Sequence, residues 1–263
     1  MSTSVVAFRA RKGSSDRLTM VTCYDVTLAR LLAASEIDAL LVGDSVAMVV
    51  HGHATTIPAD LEMMVAHTAA VSRGSGDKLV VADMPFLAHR RGLAAVVDAA
   101  GALMRAGAHA VKLEGAAGNR ETIDHLVHSG VPVMGHVGLT PQFVNNFGGF
   151  KVQGRTDEAA AAVLADAKLL EEAGVFSIVI EGVPASLGAA ITASVSVPTI
   201  GIGAGAQCDG QILVLYDVLG LTGRVPRFVR RFGDGSTTVN EAISGYVTAV
   251  RDGSFPAEQE TYG

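Results

Sequence analysis

Apolar residues gather in eight short runs along the chain, at positions 18–23, 39–43, 78–82, 109–113, 131–135, 177–180, 199–202 and 212–215. Inside each run Val, Ile and Leu follow one another almost without alternation. That pattern belongs to strands covered on both faces, as in a parallel sheet. Between the runs lie stretches with helical spacing, among them "DVTLARLLAASE", "PADLEMMVAHTAAVSR" and "TDEAAAAVLADAKLLEEAG". The second is predicted to open at Pro58, behind Thr56 and Ile57. The third opens at Thr156, ahead of Asp157 and Glu158, acids that suit a helix N-terminus. Eight such βα units in about 250 residues predict a single (β/α)8 TIM barrel spanning residues 1–263 as one domain. A C-terminal tail follows, with the turn "FGDGS" and a final helix over 239–250. A doubly wound open sheet also alternates strand and helix, and periodicity alone leaves it open; the count of eight favours closure.

Several of these runs stop at an acid. "LLVGDS" ends at Asp44, "KLVVADMPF" at Asp83, "HAVKLEG" at Glu114 and "SIVIEG" at Glu181, while "VMGHVG" carries His136. In a closed barrel the C-terminal strand ends form one mouth, where active sites sit, so these residues are predicted to meet. Carboxylates gathered there repel unless a proton or a cation intervenes. All-oxygen ligation suits a hard divalent ion such as Mg²⁺, with Asp44 and Asp83 as ligands and Glu114 nearby. The structural alternative is that each acid only caps the helix that follows.

Composition fits this picture: 49% of the 263 residues are hydrophobic, which suits a large core under two covered faces. The net charge is −6, and the densest basic group, Arg224, Arg227, Arg230 and Arg231, reads as a solvated surface turn, so no nucleic-acid partner is expected. Cys23 and Cys208 lie far apart and read as small buried thiols. No apolar run has the length of a membrane span. The start, "MSTSVVAFRARKGSSDR", lacks a signal-peptide core and reads as a frayed tail, so a cytoplasmic location with no membrane partner is expected.

Other residues admit more than one chemistry. Lys112 lies two positions before Glu114, so on a strand both point the same way. It is an ion-pair partner, an anchor for a substrate carboxylate or keto oxygen, or a Schiff-base lysine of a metal-free aldolase. His136 has no partner at zinc-site spacing and is either a satisfied structural histidine or a site residue. His51 and His53 frame "HGH", but the loop supplies no third nitrogen or sulfur ligand. "GIGAGAQCDGQ" is read equally as a tight turn or a phosphate loop; it is not GxGxxG.

Taken in order, "TCYD", "LLVGDS", "HTAAVSRG", "ADMPF", "KLEG", "GHVGLTPQ", "GFKVQGR", "IEGVP" and "PTIGIGAGAQCDGQILV" resemble the ketopantoate hydroxymethyltransferase family over most of the chain. "FPAEQETY" resembles the family's ending. The resemblance implies a barrel of the phosphoenolpyruvate/pyruvate superfamily and transfer of the one-carbon unit of 5,10-methylenetetrahydrofolate to 3-methyl-2-oxobutanoate, giving 2-dehydropantoate. It also implies Mg²⁺ dependence and a homodecamer of two pentameric rings. Matched motif by motif, it makes Asp44 and Asp83 metal ligands that also border the substrate, with Glu114 the third ligand, directly or through water. Ser45 and Lys112 match contacts to the oxo acid, His136 a pocket histidine near the incoming hydroxymethyl group, and Glu181 the proton acceptor. The chain departs from the family at Val46-Ala47, where Leu-Gly is expected, and at His51 in place of glutamine. Two rivals remain. One is a Mg²⁺-dependent carbon–carbon lyase or phosphonate-bond enzyme of the same superfamily, whose usual KKCGH-type loop is absent here. The other is a scaffold that binds an oxo acid or folate without turnover.

Overall fold

The computed structural model describes residues 4–238, 241 and 244. Its contacts divide the chain into two compact units, Met1–Leu213 and Val214–Gly263. The first is a closed barrel of eight parallel strands paired in sequence order, with the last returning to the first. They are β1 (Leu18–Thr22), β2 (Ala39–Val42), β3 (Leu79–Asp83), β4 (Ala110–Glu114), β5 (Val133–Gly138), β6 (Ser177–Glu181), β7 (Thr199–Ile202) and β8 (Gly210–Leu213). Its helices are α1 (Val5–Arg9), α2 (Val26–Ala33), α3 (Val46–Val49), α4 (Leu61–Ser72), α5 (Leu93–Arg105), α6 (Arg120–His128), α7 (Val144–Phe147), α8 (Asp157–Glu172) and α9 (Ala185–Ser194). The second unit contains α10 (Leu215–Val218) and the arginine turn, in which Arg224, Arg227, Arg230 and Arg231 are exposed as expected. Arg230 there lies over the Phe232 ring, 4.9 Å from its centre. The final helix expected over 239–250 lies outside the described residues.

Strand alternation fills the barrel. The inward positions Leu18, Met20, Ala39, Leu41, Leu79, Val81, Ala110, Met134, Val179, Ile200 and Ile212 form one buried cluster. Phe8 of α1 joins it and is fully buried, packed edge-on against Phe176 at 5.9 Å between ring centres. The N-terminal stretch is therefore a floor to the barrel and not the frayed tail expected. The spacing of Val5 and Phe8 explains the difference: three residues apart on a helix, they share one apolar face. Ser4 caps the helix by accepting from Ala7 N at 3.1 Å.

Three further details differ from the reading of the sequence. The bounds of β7 are as expected, and those of the other strands shift by one to three residues. The α4 helix starts at Leu61, because Asp60 and not the region of Pro58 supplies the cap, accepting from Met63 N at 2.8 Å. No helix separates β7 from β8; residues 203–209 form a turn in which Gly203 and Gly205 have positive φ. That segment has too many glycines and too few residues for a helix. By contrast, Thr156 caps α8 as expected, and Cys23 and Cys208 are buried free thiols.

Candidate active site

The inward-facing rows that build the core turn polar at their last step. On β3 the series Leu79, Val81 ends in Asp83; on β4, Ala110 is followed by Lys112 and Glu114; on β5, Met134 by His136; on β6, Val179 by Glu181. Register sets these tips side by side: Asp83 opposite Lys112, Glu114 opposite His136, and Glu181 opposite Gly138. On β2 the corresponding step after Leu41 is Gly43. A Cβ there would meet Ser45 Oγ at 2.8 Å and stand 3.6 Å from Asp83 Oδ2. Glycine thus lets the chain turn into α3 close under Asp83, and Asp44 N donates to Asp83 Oδ2 at 3.0 Å.

The side chains form one connected network. Lys112 Nζ lies 3.0 Å from Asp83 Oδ1 and 3.9 Å from Glu114 Oε1, and 3.2 Å from His136 Nδ1. His136 Nδ1 is 3.5 Å from Glu114 Oε1, and its Nε2 is 3.2 Å from Glu181 Oε2. Asp44, Asp83, Lys112, Glu114 and His136 are all buried; Glu181 keeps 16% of its side chain exposed. Ser45 Oγ bonds the buried Tyr24 hydroxyl at 2.9 Å. All seven residues singled out from the sequence therefore stand at this mouth. His51 instead pairs with His67, at 3.0 Å between their Nε2 atoms, and not with His53.

Burial sets the electrostatics. It drives the Asp44 carboxyl well above the usual range, reinforced by Asp83 and Glu114 and only partly offset by Lys112 and Gln142. Burial also raises Asp83, against the pull of Lys112. In Glu114 burial is outweighed by His136 and Lys112, and its pKa falls. Burial and Lys112 push the His136 imidazole down, but Glu114 and Glu181 leave it raised. Lys112 is pushed down by burial yet held above the usual lysine range by Asp83, Glu114 and Asp44. A Schiff-base lysine must shed its proton, so this environment favours the ion-pair and anchoring roles.

One residue in this network was not singled out from the sequence. Gln142 is buried; its Nε2 donates to Asp44 Oδ2 and to Met84 O, each at 2.9 Å, and its backbone N donates to Glu114 Oε2 at 2.9 Å. It thus fixes two of the three acids expected around a metal. The available signal was the Thr140-Pro141 step, which starts the 3-10 turn Pro141–Phe143 directly after β5.

Asp44 and Asp83 offer only oxygen donors. Buried acceptors without a hydrogen-bond donor among the described residues include Glu114 Oε1 and Gln142 Oε1. The excess of buried carboxylates over the single lysine suits a hard divalent cation. Among the described residues no three His, Cys, Asp or Glu side chains converge tightly enough to hold an ion by themselves. Two oxygen-donor carboxylates are compatible with an ion such as Mg²⁺, which uses one or two carboxylates and completes its shell with water and substrate. No helix among the described residues is long and apolar enough to cross a membrane.

Comparison with solved structures bears on the fold. The chain resembles 2,3-dimethylmalate lyase, a member of the PEP mutase/isocitrate lyase superfamily, with a TM-score of 0.61 and 17% identity over 100% of this chain and 93% of that one. It also resembles a phosphonopyruvate hydrolase, solved with oxalate and Mg²⁺, with a TM-score of 0.64 and 13% identity over 99% and 93%. Sequence similarity reaches further. A protein from Bdellovibrio bacteriovorus named 3-methyl-2-oxobutanoate hydroxymethyltransferase is 52% identical over 98% of this chain and 99% of its own. A relative of the same name from Thiobacillus denitrificans is 46% identical over the whole of both chains. The family model described as ketopantoate hydroxymethyltransferase matches residues 2–258. With that match and these relatives, the chain belongs to the ketopantoate hydroxymethyltransferase family.

Proposed function

We propose that this chain transfers the one-carbon unit of 5,10-methylenetetrahydrofolate to 3-methyl-2-oxobutanoate, with water as third reactant, giving 2-dehydropantoate and tetrahydrofolate. Family membership supports the reaction, and one observation carries the chemistry. A buried ammonium, Lys112, and a partly exposed carboxylate, Glu181, stand at the two ends of a network that runs through His136. Asp44 and Asp83 would hold Mg²⁺, with Glu114 a third ligand directly or through water, and the ion would supply Lewis acidity to the carboxylate and keto oxygens of the oxo acid.

The chain's own residues do the rest. Lys112, held charged, stabilises the oxygen on which negative charge develops. Glu181 takes the proton from the branch carbon, with His136 Nε2 3.2 Å away to orient its carboxylate. Ser45, fixed by the Tyr24 hydroxyl, orients the substrate. The carbon that has lost its proton bonds to the folate's methylene carbon, which gives up both bonds to the folate nitrogens. Water supplies the new hydroxyl; the proton taken by Glu181 and one from water end on those nitrogens. The reading extends to a cytoplasmic homodecamer of two pentameric rings, on the strength of the family resemblance alone.

The test is proton NMR of 3-methyl-2-oxobutanoate in D₂O with the chain and Mg²⁺, before and after methylenetetrahydrofolate is added. Metal-dependent loss of the branch-carbon proton, then 2-dehydropantoate signals, is the expected result. Exchange without product points to a lyase of the same superfamily. Substrate binding with neither exchange nor product leaves the scaffold. For the base assignment, Glu181→Gln lowers turnover by about 10²–10⁴-fold; near-native turnover overturns that role.

A further inference from the structure

We infer that the cleft between α7, α8 and the ends of β4 and β5 takes the pteridine ring of the folate, with Asp166 accepting from its N–H edge. The inference rests on the proposed one-carbon transfer and locates the co-substrate within it. The cleft has a volume of about 340 Å³, within the range of small-ligand sites. Its walls include Phe143, Phe147 and Val163, with the two rings 6.3 Å apart and tilted by 32°. Flat apolar faces of this kind receive a bicyclic ring.

Asp166 supplies the polar end. It lines the cleft from α8 half-buried, and burial raises its carboxyl with no donor or cation among the described residues to offset it. A half-buried carboxylate without a partner can gain a charge-assisted hydrogen bond from a donor brought to it. A tetrahydropterin presents its ring N–H and adjacent amino group side by side. Two parallel N–H donors match the two oxygens of a carboxylate, the fork geometry of an arginine–carboxylate pair. At the rim, exposed Arg90 is held by its Nη2 donating to Ala117 O at 2.9 Å. A fixed guanidinium there suits the carboxylates of a folate's glutamate tail.

The cleft also adjoins the chemistry. Gly138 in its lining continues the inward row of Met134 and His136 on β5 and is the register partner of Glu181. Gly115, at the cleft wall, has φ +79, and a Cβ there would meet nothing within 4 Å. A ring seated against Asp166 would lie with Gly138 between it and Glu181.

The experiment is calorimetric titration with 5-formyltetrahydrofolate, in saturating 3-methyl-2-oxobutanoate and Mg²⁺, of the unaltered chain, Asp166→Asn and Ala162→Leu. Ala162 lines the cleft from an exposed position on a helix, so leucine there fills the cleft without disturbing the core. Asp166→Asn is expected to weaken binding about 10- to 100-fold, and Ala162→Leu to weaken it at least as much, with circular dichroism and melting unchanged. Equal binding by all three chains, or none to the unaltered chain, overturns the inference. Deuterium exchange by the unaltered chain without folate is measured alongside. If exchange persists while the binding result fails, the subsite alone falls; if exchange is also lacking, the one-carbon reading falls with it.

Discussion

Replacing Lys112 by methionine tests the electrostatics of the mouth most directly. At 3.0 Å and an effective dielectric of about 20, its attraction to Asp83 is about 5.5 kcal/mol. The contact with Glu114 at 3.9 Å adds about 4 kcal/mol on the same scale. Desolvation of the ammonium takes back much of this, and removal of one partner from a buried pair typically destabilises by about 3–5 kcal/mol. The variant should lose that much in urea unfolding at pH 8 in metal-free buffer. Asp83 then lacks the cation that pulls its pKa down against burial, so it rises further. Between the unfolded and the raised folded values the folded chain binds the extra proton, so stability falls as pH rises through that window. The deficit should therefore shrink at pH 5. Adding Asp83→Asn to the variant should recover most of it, because the uncompensated buried charge is gone. A single variant within about 1 kcal/mol of the parent at pH 8, or a double variant no better than the single, would refute the reasoning.

Other consequences are open to measurement. Gln142→Leu removes the donor to Asp44 and should weaken Mn²⁺ binding, read by electron paramagnetic resonance, by about 10- to 100-fold; unchanged affinity would mean that Asp44 holds its place without it. Burial keeps Asp44 and Asp83 protonated above the usual carboxylate range, so divalent-ion affinity should rise with pH and binding should release protons. Calorimetry in buffers of different ionisation enthalpy would detect that release, and a flat profile argues against these ligands. Phe8→Ala should cost about 3–5 kcal/mol in urea unfolding, as expected for a fully buried ring; a loss below about 1 kcal/mol would mean that α1 does not close the barrel.

The barrel was legible because its strands are nearly continuous in branched residues, and the site because an acid or histidine ends several of them. Both signals are local. What the sequence hid depended on packing or on the absence of a signal. The five residues of α1 are too few to be stable alone, and only the core beneath makes Phe8 worth ordering. The missing helix between β7 and β8 was obscured by the count of strands. Gln142 carries no charge and no helix period, and its role appears only when Asp44, 98 residues earlier, folds against it. The start of α4 was misplaced because proline at a first helical turn and aspartate at a cap are rival signals a few residues apart, and here the cap prevailed.

The layering of β3, β4, β5 and β6 limits how this protein can be altered. Val81, Ala110, Met134 and Val179 each lie two residues below a polar group of the mouth, on the same face of the same strand. A larger or smaller side chain in that layer tilts the group above it, so a substitution chosen for thermal resistance there would alter reactivity as well. The face of β1, β7 and β8 holds no member of the charged network, and improvement by directed evolution should find its tolerated changes there first.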